Sequence, residues 1–318
     1  MPRQSLPQHL GGSFAVRAAR AAGVGEGRLR GRDLVSGFHG TRSIAVAPDD
    51  TMPPWGREAA ELRRRIDEYR TAMPDGSFFI GPTAAFLHGL PLPLGVQKSI
   101  HVGVRHPRTA SRRGGVDGVQ IMPRMVAVTT IDGMPLTDVA TTWASLGRTL
   151  ELYDLVAVAD AILRVPRHPG GFRPPSGPAL ATADELAARL GSGRWHGAKM
   201  LRAALGRART GASSRPETWI RLVLTDGGQP EPVLDHDVVG PHGEFLGCSE
   251  LAYPRERVAI EYESDGHLTR RQLERDIDKY TAYSAAGWRT IRLTHSHVFR
   301  YPGELVRRVD EARRSSSV

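Results

Sequence analysis

Cysteine is almost absent from this chain of 318 residues: Cys248 is the only one. That excludes an internal disulfide framework and a cysteine-ligated zinc site. A reducing compartment is the simplest home, so a cytoplasmic location is expected. Aromatic residues make up only 6%, which leaves few platforms for stacking bases. No apolar run approaches the roughly 20 residues that a membrane span needs. The opening stretch "MPRQSLPQHLGGSF" carries no apolar core of the signal-peptide kind. Neither export nor a membrane partner is expected.

Lysine is scarce as well, confined to Lys98, Lys199 and Lys279. Arginine is what the chain has in abundance. The formal net charge is +9 and the sequence pI about 10.2. A basic chain attracts polyanions, which puts nucleic acid among the expected partners. The same arginine bias, with much Ala and Gly, is also what GC-rich coding produces. The length accommodates two or three domains, and the fold class expected is α/β, or α+β over the whole chain.

Residues 1–50 hold two short helical stretches. Ser13 is placed to cap a helix through "FAVRAARAA", and Gly23 suits the left-handed position at its end. The next stretch, "GEGRLRGRDL", brings Arg28, Arg30 and Arg32 close together, and "FHGTRSIAVA" alternates like a strand. Helix, tight turn, Arg-rich helix and β-wing is the plan of a winged helix-turn-helix. On that plan the three arginines are candidate DNA contacts; a solubilising basic cap is the other reading.

Residues 51–165 read as a mixed α/β middle region. "GREAAELRRRIDEYRT" is an amphipathic helix with Leu62, Ile66 and Tyr69 on one face. Strands are expected at "SFFI", "SIHVGV" and within "VQIMPRMVAVTTIDGMPLTD", and packed helices at "TTWASLG" and "LELYDLVAVADAILRV". His88 and His101 sit among apolar neighbours and read as core or turn residues. Residues 166–209 read as a linker followed by helices. "PRHPGGFRPPSGPAL" is Pro/Gly-rich without an apolar period, and Thr182 with Glu185 forms a capping box.

From 210 to 314 the order α-β-β-β-α-β-α is legible. In "VAIEYESDGH" acids recur at every second position, at Glu261, Glu263 and Asp265, followed by His267. Side chains alternate along a strand, so Glu261 and Glu263 share a face opposite Tyr262. Glu250 lies on the preceding strand, and the short "YPRER" link brings it near Glu261. Carboxylates gathered on one surface repel unless they are protonated or bridged by a cation. Mg²⁺, or Mn²⁺ in its place, suits oxygen ligands from Glu250 and Glu261. Such an ion activates water for phosphodiester cleavage. Glu263 and His267 are candidate assistants, His267 as a base or a phosphate contact. Glu217, in Ser214-x-x-Glu217, reads either as a capping-box partner or as an extra ligand. Arg270, Arg271 and Lys279 are candidate contacts to the DNA backbone. His295 and His297 read as residues of a strand-exit loop.

The stretches "SELAYP", "VAIEYESDGH", "LERDIDKY" and "GWRTIRLT" together resemble the PD-(D/E)XK nuclease superfamily. More closely, they resemble its Vsr-like (very-short-patch-repair-like) endonuclease domains. This chain has Glu250 where that family has Asp, and Glu263-Ser264 where it has Asp-Gly. The superfamily lysine is replaced by Glu263. The stretches "SFAVRAARAAGVGEGRLRGRDL", "TAAFLHGLPLP" and "IHVGVRHPR" resemble AbiEi-like antitoxins of the type IV toxin–antitoxin class. That resemblance implies an operator-binding winged helix and a cognate toxin as partner. Three readings follow: a metal-dependent DNA endonuclease in phage defence or DNA repair, a non-catalytic antitoxin-like repressor with a degenerate nuclease fold, and a protein-binding module.

Overall fold

The computed structural model describes residues 5–47, 49–263 and 270–315, without the side chains of residues 270–272. The chain divides into two compact units, Met1–Thr149 and Leu150–Val318. Both mix helices with sheet. Among the described residues no helix is long and apolar enough to cross a membrane.

The first unit begins with strand β1 (Ser13–Ala15), helices α1 (Val16–Ala21) and α2 (Glu26–Leu29), and strands β2 (Leu34–Val35) and β3 (Thr41–Ile44). The strands form a small antiparallel sheet in the order β1-β3-β2. Leu10, Phe14, Ala19, Val24 and Leu29 make its core. Ser13, expected to cap a helix, lies instead in β1, where its hydroxyl meets that of Ser43 at 2.9 Å. Pairing with β3 takes the backbone groups that a longer helix would use, so α1 starts two residues later, at Val16. Gly23 has the left-handed backbone expected of it, with φ 80°.

Helix α3 (Pro54–Arg70) buries Leu62, Ile66 and Tyr69, the stripe that its periodicity predicts. It packs over a five-stranded sheet in the order β6-β5-β4-β8-β7, made of β4 (Ser77–Phe79), β5 (Ile100–Arg105), β6 (Val116–Ile121), β7 (Val128–Ile131) and β8 (Met134–Thr137). Helices α4 (Gly81–Leu87) and α5 (Val139–Leu146) complete this unit. The first 50 residues and the middle region were expected as separate domains, yet α3 ties them together. Its fully buried Glu68 accepts from Gly37 N at 2.7 Å and Thr41 Oγ1 at 2.5 Å, with Arg64 at 3.2 Å behind it. A buried carboxylate is tolerated because these donors and one cation satisfy it. His88 and His101 take structural places: His88 Nε2 lies 2.8 Å from Thr137 O, and His101 Nε2 3.6 Å from Asp117.

The second unit opens with α6 (Leu152–Leu163), which the sequence groups with the middle region. Its polar side chains explain the difference. Asp160 is fully buried and accepts from Arg209 N, Thr218 Oγ1 and Arg221 Nη2 at 2.6–2.9 Å. Asp154 accepts from Arg215 Nε and Trp219 Nε1 at 2.7 and 2.8 Å. These partners belong to α9 (Arg215–Asp226) and the segment before it, with α7 (Ala183–Gly191) and α8 (Ala198–Arg207) lying between in the chain. The capping box of Thr182 and Glu185 opens α7 as expected.

A four-stranded sheet follows in the order β12-β11-β10-β9, from β9 (Val233–Val239), β10 (Phe245–Tyr253), β11 (Val258–Glu263) and β12 (Arg289–Thr294). Only the β11–β12 pair is parallel, and α10 (Arg270–Ala285) is its crossover. Alternation along β11 sorts the two faces. Val258 and Ile260, with Tyr262 against them, join the core shared with α9, α11 (His295–Phe299) and α12 (Pro302–Ser315). Ala259 faces Tyr283 of α10.

Two segments differ from expectation. Residues 295–299 form a short helix rather than a loop, because Thr294 and His297 cap it reciprocally. The Pro/Gly-rich stretch at 166–180 is docked on the sheet. Arg167 holds Asp235 at 2.6 Å and Asp237 at 2.9 Å, and Phe172 stacks edge-on against Phe245.

Candidate functional site

The β10–β11 ladder ends at Leu251 opposite Ile260. One step further the register sets Glu250 opposite Glu261. There the side chain of Glu250 takes over from the ladder: its Oε2 accepts from Tyr262 N at 2.7 Å. Glu261 is buried, as a residue following an apolar strand should be, and Lys279 Nζ of α10 donates to its Oε1 at 2.9 Å. Glu217, on the first turn of α9, is buried too.

Close approach of α10 brings the lysine in. Gly247 sits at an irregularity in the β9–β10 pairing with φ 149°. A Cβ added there would lie 3.0 Å from Tyr283 Oη and 3.4 Å from Lys279 Cγ. Glycine at this point therefore allows the helix to lie against the strand. Lys279 Nζ also stands 5.6 Å from the ring centre of Tyr280 and 5.5 Å from that of Tyr283, within cation–π range.

The electrostatics follow from burial. Desolvation and then the charge of Glu217 push the Glu250 carboxyl up to about 8, Tyr262 N–H opposing. Desolvation pushes Glu217 up to about 7, against the hydrogen bonds it accepts from Ser213 N at 2.6 Å and Ser214 Oγ at 2.8 Å. Desolvation also raises Glu261, with Lys279 pulling the other way. Glu263 behaves differently. Arg292 Nε at 2.6 Å holds its carboxyl below the ordinary value, and Tyr280 Oη lies at 3.3 Å.

Glu217, Glu250, Glu261 and Lys279 thus interact around one end of the sheet, while Glu263 is committed to Arg292. Of the two roles expected for Glu217 the structure describes the one at the helix start: it accepts from Ser213 N and Ser214 Oγ before and at the start of α9, and its charge raises Glu250. Lys279, expected toward the DNA backbone, is turned onto Glu261. His267 lies outside the described residues, as do the side chains of Arg270 and Arg271. In the first unit Arg30 and Arg32 are exposed, whereas Arg28 makes a bidentate pair with Asp33 at 2.7 and 3.1 Å.

The donors here are all carboxylate oxygens and suit a hard cation. Their raised affinity for protons is also what a bound cation would offset. Among the described residues no three His, Cys, Asp or Glu side chains converge at metal-ligand geometry.

No family profile matches the chain. Over 99 residues, 31% of its length, the chain is 33% identical to two uncharacterized proteins of Mycobacterium tuberculosis, MT2308 (strain CDC 1551 / Oshkosh) and Rv2248 (strain ATCC 25618 / H37Rv). The match spans 36% of each relative, little more than a third of its length.

Proposed function

We propose that the second unit is a metal-dependent endonuclease-like domain of PD-(D/E)XK type, hydrolysing phosphodiester bonds in DNA, and that the first unit binds DNA. The observation that carries the reading is the group of the buried Glu217 and Glu261 and the half-buried Glu250, with Lys279 beside it, at the end of the β10–β11 ladder. The order α9-β9-β10-β11-α10-β12, with β12 parallel to β11, supports it. Glu250 and Glu261 would hold Mg²⁺ or Mn²⁺, with water or phosphate oxygens completing its shell and Glu217 acting on the site through its charge on Glu250. When bound, such an ion lowers the pKa of water and offsets charge on the cleaved phosphate. The chain's own groups prepare that chemistry. Burial keeps bulk water from the carboxylates, and Tyr262 N–H orients Glu250. Lys279 supplies in space the cation that the strand lacks in sequence, next to Glu261, and would steady a phosphate oxygen there. The small three-stranded sheet with α1 and α2 supports a winged-helix role for the first unit, with Arg30 and Arg32 exposed for phosphate contacts.

One observation favours a second reading. The pairing of Lys279 with Glu261 already compensates a carboxylate without a metal. A non-catalytic, antitoxin-like repressor that keeps only the nuclease fold, with a cognate toxin as partner, would be built this way. Either role, in phage defence, DNA repair or transcriptional control, belongs in the cytoplasm. Incubating supercoiled plasmid with Mg²⁺ or Mn²⁺ separates the readings. Nicking by wild type and none by Glu261→Ala supports cleavage at this site. Equal nicking by both removes the site assignment. If neither cuts and DNA affinity falls steeply with salt, the repressor reading stands.

A further inference from the structure

A cleft of about 510 Å³ lies in the first unit, and none of the residues assigned above lines it. It is walled by the start of α1, the β2–β3 hairpin and the loop holding Arg113. Arg17, Arg20, Arg42, Arg113 and His39 line it, and no Asp or Glu does. Arg20 is offset by Glu26 at 2.5 Å. The other three have no acidic partner among the described residues. Arg42 donates only to the carbonyls of Leu29 and Thr41, at 2.9 and 2.7 Å. Arg113 donates to Ala72 O at 3.2 Å, and Arg17 is exposed.

Three uncompensated guanidinium groups around one concavity repel each other, so an anion there is strongly favoured. Guanidinium forks match phosphate and carboxylate oxygens in pairs. Ser36 adds a hydroxyl, and no Phe, Tyr or Trp is present to stack a base. The volume lies within the roughly 300–1,000 Å³ of ordinary ligand sites. We infer that this cleft is a phosphate-binding site, reading phosphate groups and not bases. The phosphate belongs either to a nucleic-acid backbone or to a free polyphosphate. The inference does not rest on the cleavage reading, since the cleft belongs to the other unit and binding is measured without cutting.

The test uses the full chain and two probes, inorganic triphosphate and a labelled duplex of random sequence. Arg42 is left intact because it holds backbone carbonyls. The variant Arg17→Ala/Arg113→Ala is compared with Arg255→Ala/Arg300→Ala, which removes the same charge from exposed positions of the second unit. The cleft variant should weaken triphosphate binding about tenfold or more, with its melting temperature unchanged, while the control variant binds like wild type. If triphosphate displaces the duplex, and the cleft variant lowers the salt slope of duplex binding by about 2, the phosphate is that of the backbone. Triphosphate binding that the duplex does not contest assigns the cleft to a free polyphosphate. The inference is overturned if wild type binds neither probe, or if both variants weaken binding equally, because net charge alone would then explain the affinity.

Discussion

Replacing Glu250 by Gln tests the electrostatics of the carboxylate group directly. In the folded protein this carboxyl is raised from 4.5 to about 8. The folded state therefore binds more protons than the unfolded state between those values. Stability contributed by this group is greatest below about pH 4.5 and falls as pH rises through the window, the full penalty being present above about pH 8. At about 1.4 kcal/mol for each pH unit, the whole interval corresponds to about 4–5 kcal/mol. Glu250 is only partly buried and shares its titration with Glu217, which brings the expected effect to about 2–3 kcal/mol. Gln keeps the shape and still accepts from Tyr262 N. Glu250→Gln should thus match wild type at about pH 5 and exceed it by about 2–3 kcal/mol at about pH 8.5, in urea unfolding followed by tryptophan fluorescence. Titrating groups that do not interact with Glu250 are common to both proteins and cancel in the difference, and the coupling to Glu217 is already contained in the reduced magnitude. A variant no more stable than wild type at the alkaline pH, or one offset equally at both, would refute the reasoning. Under the metal-site proposal, Mg²⁺ at a hundredfold excess over its Kd adds about 2.7 kcal/mol to wild type at the alkaline pH and little to the variant.

Other outcomes are expected from the same packing. Arg221→Ala strands Asp160 in the interior of the second unit, since the two side chains are 2% and 1% exposed. It should cost about 3–5 kcal/mol in denaturant unfolding, and Asp160→Asn/Arg221→Met should recover much of that loss. Arg167→Ala removes the cation between Asp235 and Asp237 and should release the docked 166–180 segment, read as faster limited proteolysis there than in wild type. Lys279→Met leaves Glu261 buried without its cation. Its stability should fall more steeply between about pH 5 and pH 8 than that of wild type, and an unchanged profile would show that the ion pair is not formed in solution.

Much of the architecture is legible in the sequence because local rules carry it. The spacing of Leu62, Ile66 and Tyr69 places a helix stripe, and the alternation in "VAIEYE" sorts Glu261 from Tyr262. Gly23, Thr182 and Ser214 mark helix ends through φ or a capping hydroxyl. Half of the candidate site is legible for the same reason. A period of two sets Glu261 and Glu263 on one face, and a short turn sets Glu250 opposite Glu261.

The rest depends on partners remote in the chain. Ser13 goes to a strand because Thr41–Ser43 is there to pair with it. Arg167 finds its aspartates 68 and 70 residues away, so a segment of linker composition becomes a docked strap. Helix α6 leaves the middle region because Asp154 and Asp160 are satisfied only by α9 and the segment before it. Lys279 and Glu263 show the division most sharply. On composition and position the lysine belongs outside and the acid inside the site, but α10, lying against Gly247, turns the lysine onto Glu261, while the parallel pairing of β11 with β12 gives Glu263 to Arg292. Sequence by itself determined which residues carry charge and, along α3 and β11, which faces they occupy. Only tertiary structure decided which charges meet, because an ion pair buried between elements depends on distance in space and on desolvation, neither of which is written in local periodicity.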